Sequence, residues 1–193
     1  MPWEKSFDID TAVDQALNVF WSKGYEATSL NDLLSATGIA KGSFYNAFGS
    51  KKEIFMQSLL KYDRDYRQAF LAELSALNNP VKAITLLFSG FIDRSLSDSE
   101  KKGCMLVNTA IDLPNHDQDT NRVVKKGLKE FENFFVEQLQ LGKDDGSIDP
   151  KIKVKQTAKG LLTLVIGLRV LARGVYKKSD LQAIKSQALT LIQ

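Results

Sequence analysis

A donor-rich segment near the amino end has the residue types that could read DNA. Phe44 and Phe48 are four residues apart, so they share one face of a helix predicted over 41–47 and would anchor it to a core. The other faces carry groups suited to base edges and phosphates: an ammonium, hydroxyls, an amide, and a glycine that lets the backbone approach closely. These candidate DNA contacts are Lys41, Gly42, Ser43, Tyr45 and Asn46.

Three more candidate contacts lie where helices are predicted to begin, because backbone N–H groups and the helix dipole favour a phosphate there. They are Thr28, Ser29 and Lys51. Ser29 and Asp32 have the spacing of an acidic capping box, which predicts a short helix over 30–36. Gly38 then provides a turn between two short helices. This order is typical of a helix-turn-helix, whose second helix enters the major groove, although a plain three-helix bundle has the same outline.

The charge of this region is low for a DNA-binding surface. Residues 1–52 hold five lysines and six acidic residues, a net charge of −1, whereas the whole chain of 193 residues carries +3. The acids fall mainly on the first predicted helix and its lead-in, while Lys41, Lys51 and Lys52 lie at or after the candidate reading helix. We therefore expect few ion pairs with phosphate and a shallow salt dependence of DNA binding.

The spacing of apolar residues predicts an all-α protein of about nine helices. Apolar residues recur at intervals of three and four, and no alternating segment ends in a hairpin turn. Ser50 and Glu53 begin a long fourth helix that joins the first three helices to a larger bundle without a flexible linker, and Asp149-Pro150 is expected to begin the eighth helix. The predicted helices cover 9–23, 30–36, 41–47, 51–77, 80–97, a short stretch after 103, 119–141, 150–175 and 178–192.

Residues 24–30 (GYEATSL) and 37–53 (TGIAKGSFYNAFGSKKE) resemble the DNA-binding domain of the TetR family of transcriptional regulators. The resemblance implies a helix-turn-helix domain over 1–50 and an effector-binding and dimerisation domain over 51–193. It also implies a homodimer, usually a repressor, that a small ligand releases from operator DNA. By position it makes 41–43, 45 and 46 operator contacts and Lys51 a phosphate contact, while Ala47 stands where many members have histidine.

Aromatic residues at helical spacing after residue 60 could line a cavity for an effector. They are Tyr62, Tyr66, Phe88, Phe91, Phe131, Phe134 and Phe135. Tyr62 and Tyr66 would place two hydroxyls one turn apart, which favours an apolar or aromatic effector with one or two polar groups. The alternative is that these rings are simply core, since aromatic residues at helical spacing usually pack.

Cys104, the one cysteine, is a further candidate ligand residue because it follows Lys101, Lys102 and Gly103 at a predicted helix start. Gly-Cys at this place also resembles the branch of the TetR family in which a cysteine senses electrophiles or oxidants, an alternative to effector binding. Inert packing is the other interpretation of a lone cysteine.

His116, the one histidine, lies in a loop with acidic neighbours but without a defined ligand spacing, so we expect no metal and no cofactor. A single histidine also removes Ser-His-Asp and Cys-His catalysis unless it serves alone, which leaves a small helical enzyme as a weak rival interpretation. A helical interaction module that does not bind DNA is the other rival.

The last two predicted helices are apolar enough to need a partner surface. The eighth is apolar on most sides between Leu161 and Leu171, and the ninth presents Leu181, Ile184 and Leu191. Pairing these two helices with their symmetry mates would form a homodimer that reads two half-sites. The most apolar stretch, 160–172, is short and contains an arginine, so we expect no membrane span. The amino end lacks the pattern of a secretion signal, which predicts a cytoplasmic protein.

Overall fold

The structure, a computed structural model, describes residues 7–193 and divides into two compact units, one ending at Arg64 and the other beginning at Asp65. The first unit contains helices α1 (Ile9–Lys23), α2 (Leu30–Thr37), α3 (Lys41–Phe48) and α4 (Lys51–Tyr62). These bounds agree with the first three predicted helices within one residue. Glycines with positive φ end α1, α2 and α3, and Gly38 between α2 and α3 is left-handed at φ 65°, a conformation that costs glycine little.

Aromatic and aliphatic side chains from all four helices form the core of the first unit. Phe20 of α1 meets Phe55 of α4 edge to face, with 5.0 Å between ring centroids. Leu33 is the buried residue of α2, and Phe44 and Phe48 are those of α3. α1 and α4 therefore form the base on which the shorter α2 and α3 are held.

The expected long fourth helix is interrupted. α4 ends at Tyr62, a π-helical segment covers Asp63–Gln68, and α5 (Ala69–Ser75) follows. A π-helix has wider turns than an α-helix, so residues after it are rotated away from the positions that α-helical spacing predicts. Accordingly, Tyr62 is buried beside Trp21 in the first unit, whereas Tyr66 of the second unit is 45% exposed. Tyr62 and Tyr66, predicted to place two hydroxyls one turn apart, therefore lie in different surroundings, and ligand contact by either stays a prediction.

The second unit is a bundle of helices around one hydrophobic core. It contains α5, α6 (Pro80–Ser97), α7 (Met105–Ile111), α8 (Gln118–Asp144), α9 (Val154–Leu171) and α10 (Lys178–Thr190), with a short 3₁₀ segment at Leu113–Asn115. Leu87 and Phe88 of α6, Phe135 and Leu139 of α8, and Leu161 of α9 are fully buried in that core. Within residues 7–193 the structure has no strand, which confirms the all-α prediction.

Helix α9 does not begin where the sequence suggested. The Asp149 carboxylate accepts a hydrogen bond from the Lys151 N–H (2.8 Å), and Ile152 N–H donates to the Asp149 carbonyl (3.1 Å). These bonds close a turn, so the helix starts at Val154 and the predicted N-cap role of Asp149-Pro150 was wrong. At the other end α9 stops at Leu171, whose carbonyl accepts from both Val175 and Tyr176 N–H groups.

The division after Arg64 falls later than the expected domain boundary at residue 50, because α4 packs on α1. No helix among the described residues has both the length and the apolar character that crossing a bilayer requires.

Gly142 provides a test of packing in the second unit. It lies in α8, and a Cβ there would stand 2.5 Å from Ile148 Cδ1 and 3.1 Å from Ile148 Cβ. We expect Gly142→Ala to lower the free energy of unfolding by about 1–3 kcal/mol through overpacking, measured by chemical denaturation. Gly160→Ala is the control: its Cβ would meet only Leu191 Cδ1 at 3.6 Å, so it should be neutral or stabilising. Equal effects of both substitutions would contradict this packing.

Candidate nucleic-acid interface

The start of α2 is fixed by a compact set of hydrogen bonds. Ser29 Oγ accepts from Asp32 N–H (3.1 Å), and the Asp32 carboxylate accepts from Ser29 N–H (2.8 Å), which together make the predicted capping box. Lys23, at the end of α1, donates to the same carboxylate at 2.6 Å. The hydrogen bond from Lys23, followed by those from Ser29, lowers the pKa of Asp32 well below its ordinary value. Asp32 therefore joins the end of α1 to the start of α2.

Helix α3 has one buried face and one exposed face. Phe44 is 0% exposed and Phe48 4%, and their rings contact each other with centroids 5.3 Å apart. The predicted contact residues lie on the remaining faces: Lys41, Gly42, Tyr45 and Asn46 are exposed, and Ser43 is half-buried. A Cβ added at Gly42 would meet no atom within 4 Å, so this part of the helix surface is open. Helix α3 thus presents a polar, sterically open surface.

The predicted phosphate contacts differ in their surroundings. Ser29 is exposed. Lys51, the first residue of α4, is half-buried, with its ammonium 4.4 Å from the centre of the Tyr25 ring. Thr28 is fully buried, and its hydroxyl donates to the Gly24 carbonyl at 2.6 Å. Burial opposes the contact predicted for the Thr28 side chain, because its hydroxyl closes the turn after α1.

The predicted effector-lining aromatics of the second unit lie in or against its core. Phe88, Phe131, Phe134 and Phe135 are each at most 5% exposed, and the Phe91 ring is half-buried against Phe131, 5.9 Å away between centroids. These rings pack edge to face or at an angle, in the manner of a core. Phe134 also lines a groove of about 270 Å³ between α5 and α8. Ligand contact by these residues stays a prediction.

Cys104 is half-buried at the N-cap position of α7, and its side chain makes no capping hydrogen bond. His116 is half-buried directly after the 3₁₀ segment. No group of three or more histidine, cysteine or acidic residues within 7–193 is arranged to hold a metal ion.

Two buried arginines of the second unit were not among the predicted site residues. Arg67 pairs with Glu130 at 2.6 Å beside the groove between α5 and α8. Arg169 of α9 donates to Ser95 Oγ of α6 at 2.7 Å and to the Gly103 carbonyl at 2.6 Å. The signal for Arg169 was present in the sequence, because an arginine stands in the most apolar helix of the chain.

The first unit, with a short capped helix, a left-handed glycine turn and a second helix of open polar surface, has the form of a helix-turn-helix DNA-binding domain. Comparison with known proteins agrees. Residues 12–57 match the family model described as bacterial regulatory proteins, tetR family, and residues 80–186 match the tetracyclin repressor-like C-terminal domain. The chain belongs to the tetR family, and it is a DNA-binding transcriptional regulator rather than an enzyme.

Individual relatives extend over most of the chain. The uncharacterized HTH-type regulator YezE of Bacillus subtilis is 32% identical over 145 residues, 75% of either chain. The HTH-type transcriptional repressor ComR of Escherichia coli is 29% identical over 188 residues, covering 97% of this chain and 90% of ComR. A cysteine variant of the TetR-family regulator CifR, in complex with a 26-base-pair operator duplex, superposes with a TM-score of 0.83 at 28% identity, over 96% of this chain and 97% of CifR.

The Lys23–Asp32 contact gives a prediction on pH. Because folding lowers the pKa of Asp32, its contacts stabilise the first unit above the ordinary pKa of 3.8 and weaken as the pH falls below that value. Lys23→Met should raise the pKa of Asp32 toward 3.8, since Lys23 is the largest cause of the shift. An NMR titration of the Asp32 carboxyl carbon measures this change. Lys41→Met is the control, and an unchanged Asp32 titration in Lys23→Met would contradict the contact.

Proposed function

We propose that this regulator is a repressor that binds a pseudo-palindromic operator as a homodimer, with α3 as its recognition helix. The observation that carries the proposal is the orientation of α3. Phe44 and Phe48 point into the core, so the polar face of Lys41, Tyr45 and Asn46 is directed outward. The repressor role is supported by the similarity to ComR, whose description is a transcriptional repressor.

The side chains of this face are suited to different contacts with DNA. Asn46 and Ser43 donate or accept hydrogen bonds at base edges, Tyr45 donates its hydroxyl to a phosphate, and Lys41 supplies charge. Gly42 admits the DNA backbone closely because it has no side chain. Ala40, the N-cap of α3, makes no side-chain capping bond, so a phosphate is a suitable partner for the N–H groups at this helix start. Ser29 and Lys51 add phosphate contacts beside α3.

The homodimer is proposed to form through α9 and α10. Leu162, Ile166 and Val170 follow one another at four-residue spacing on α9, and each is only half-buried within the single chain. Homodimer interfaces are more apolar than the rest of a protein surface, so a half-exposed stripe of leucine, isoleucine and valine suits one. Two copies would then present two recognition helices to two half-sites.

A small apolar or aromatic effector is proposed to bind the second unit and weaken DNA binding. The match of residues 80–186 to a tetracyclin repressor-like C-terminal domain supports this assignment. The helical run 51–75 joins the two units in the chain, so it is the covalent route by which binding in one unit reaches the other. Typical coupling energies of about 1–3 kcal/mol would lower operator affinity some 5- to 150-fold. The setting for this regulation is the cytoplasm.

Gly42→Ala tests the recognition helix without disturbing its packing. The added methyl group meets nothing in the protein, and alanine favours a helix over glycine by about 1 kcal/mol, so the thermal stability should stay equal or rise. Operator affinity should fall by roughly tenfold or more, about 1.4 kcal/mol, because the methyl group separates the α3 backbone from DNA. Fluorescence anisotropy measures the affinity on a duplex selected from random sequences with the wild-type protein. Unchanged affinity would contradict the assignment of this face.

Ile166→Lys tests the dimer. A lysine within the half-buried stripe of α9 should convert the dimer to a monomer, seen by sedimentation velocity, and abolish tight operator binding, because a single recognition helix reads one half-site. Leu141→Lys is the matched control, since Leu141 of α8 is 52% exposed and lies outside the proposed interface. A monomeric wild-type protein, or an Ile166→Lys dimer, would refute this interface.

A further inference from the structure

Arg169 is a buried cation in the core of the second unit. Only 7% of the residue is exposed, although it lies in the last turn of α9. Nη1 donates to Ser95 Oγ at 2.7 Å and to the Phe91 carbonyl at 3.4 Å, and Nη2 donates to the Gly103 carbonyl at 2.6 Å. Nε is buried and has no hydrogen-bond partner. The guanidinium therefore joins α9 to α6 and to the loop before α7.

All of these acceptors are neutral. Within the described part of the chain, no carboxylate lies within ion-pair distance of Arg169. The charge is balanced only by carbonyl and hydroxyl dipoles near the carboxyl end of α6. An enclosed charge destabilises the fold unless an opposite charge or a full set of hydrogen bonds compensates it. Arg67, the other buried arginine, has such compensation from Glu130. Arg169 has no acid partner, makes three hydrogen bonds, and has a buried Nε that makes none.

The pattern of used donors indicates what would complete the site. Nε and Nη2 form one edge of the planar guanidinium, and this edge binds a carboxylate through two parallel hydrogen bonds. In the structure Nη2 donates to the neutral Gly103 carbonyl, and Nε donates to no group. A carboxylate would accept from both nitrogens and neutralise the charge, which a carbonyl does not.

An aromatic ring lies beside the guanidinium. Its central carbon lies 5.3 Å from the centre of the Phe91 ring. Phe91 in turn contacts Phe70 and Phe131, with centroids 5.6 and 5.9 Å away. Gly90 makes this arrangement possible, because a Cβ there would stand 2.8 Å from Phe70 Cζ. A ligand that reaches Arg169 would therefore meet the Phe91 ring beside the charge.

We propose that the Nε–Nη2 edge of Arg169 anchors the carboxylate of an aromatic or apolar acid, and that such acids are the effector class of this regulator. This inference rests on the effector response proposed above and specifies its chemistry: the polar group of the effector is an anion. The acid carboxylate takes the place of the Gly103 carbonyl on Nη2 and gives Nε its partner, while the apolar body of the acid lies against Phe91.

Loss of the Gly103 contact would act on the start of α7. Three consecutive carbonyls before Cys104 are held by side chains: Lys101 by Arg173 at 2.9 Å, Lys102 by Asn108 at 2.8 Å, and Gly103 by Arg169 at 2.6 Å. Arg169 is the most buried of these three donors. When Arg169 exchanges the Gly103 carbonyl for a carboxylate, the loop before α7 therefore loses one of these three hydrogen bonds.

The test compares acids with their neutral amides on the purified wild-type protein. Isothermal titration calorimetry at constant ionic strength would use benzoate, 1-naphthoate and decanoate, each against its own amide. At least one acid should bind saturably and roughly tenfold or more tightly than its amide. Arg169→Met should lose this preference, whereas Arg173→Met, which removes an exposed arginine one turn later, should keep it. No preference for any acid, or an equal preference in Arg169→Met, overturns the inference.

Two features keep the result interpretable. If Arg169→Met does not fold, the comparison of acid and amide on the wild-type chain still decides the question, because a site for an anion must distinguish them. Operator release by the same compounds is measured separately. An acid that binds through Arg169 without releasing DNA supports the anion site and refutes the effector response. Neutral amides that release DNA as well as the acids refute the anion site and leave the effector response standing.

Discussion

The burial of Phe44 and Phe48 fixes the rotation of α3, and the DNA-binding surface depends on that rotation. Each phenylalanine removed from water contributes about 1.5–3 kcal/mol, and both are essentially fully enclosed. No side chain on the opposite face is buried to a comparable degree, since Lys41, Tyr45 and Asn46 are all exposed. Turning the helix by one residue position would expose Phe44. Burial of the two phenylalanines therefore determines which residues of α3 face outward. No interaction of the polar side chains is needed to orient that face.

Short-range contacts within the first unit hold α3 in place. Gly38 sets the turn before α3, and Asp32 joins the ends of α1 and α2 through Lys23 and Ser29. Asp32, one acid of this region, is thus held by contacts inside the unit. Lys51 is likewise steadied over the Tyr25 ring. With few free cations to bind phosphate, the surface depends on hydrogen bonds and close backbone approach, which makes the position of α3 more important than net charge.

Local signals in the sequence predicted the local features of the structure. The bounds of α1 to α3, the capping box at Ser29 and the inward face of α3 follow from residues within a few positions of one another, and all are present. The π-helical segment after Tyr62 and the turn at Asp149 were missed, because Tyr66 and Phe70 continue an apparent α-helical spacing and Asp-Pro begins turns as readily as helices. Thr28 suited a phosphate by type, but its burial depends on the turn after α1. The contacts of Arg169 with Ser95 and Gly103 could not be predicted, because residue spacing carries no information on partners that are distant in the chain.

The contrast between Arg67 and Arg169 bears on why a charge stands in the core of the second unit. Arg67 is a compensated cation, and Arg67 with Glu130 could be replaced by an apolar pair at little cost to stability. At position 169 a methionine or leucine would pack α9 against α6 and avoid the desolvation of a guanidinium altogether. The carboxyl end of a helix supplies roughly half of an elementary negative charge, so α6 balances only part of the charge on Arg169. The uncompensated part of this positive charge opposes folding but favours the binding of an anion. A residue that destabilises the ligand-free protein and stabilises the complex is what a ligand-responsive switch requires.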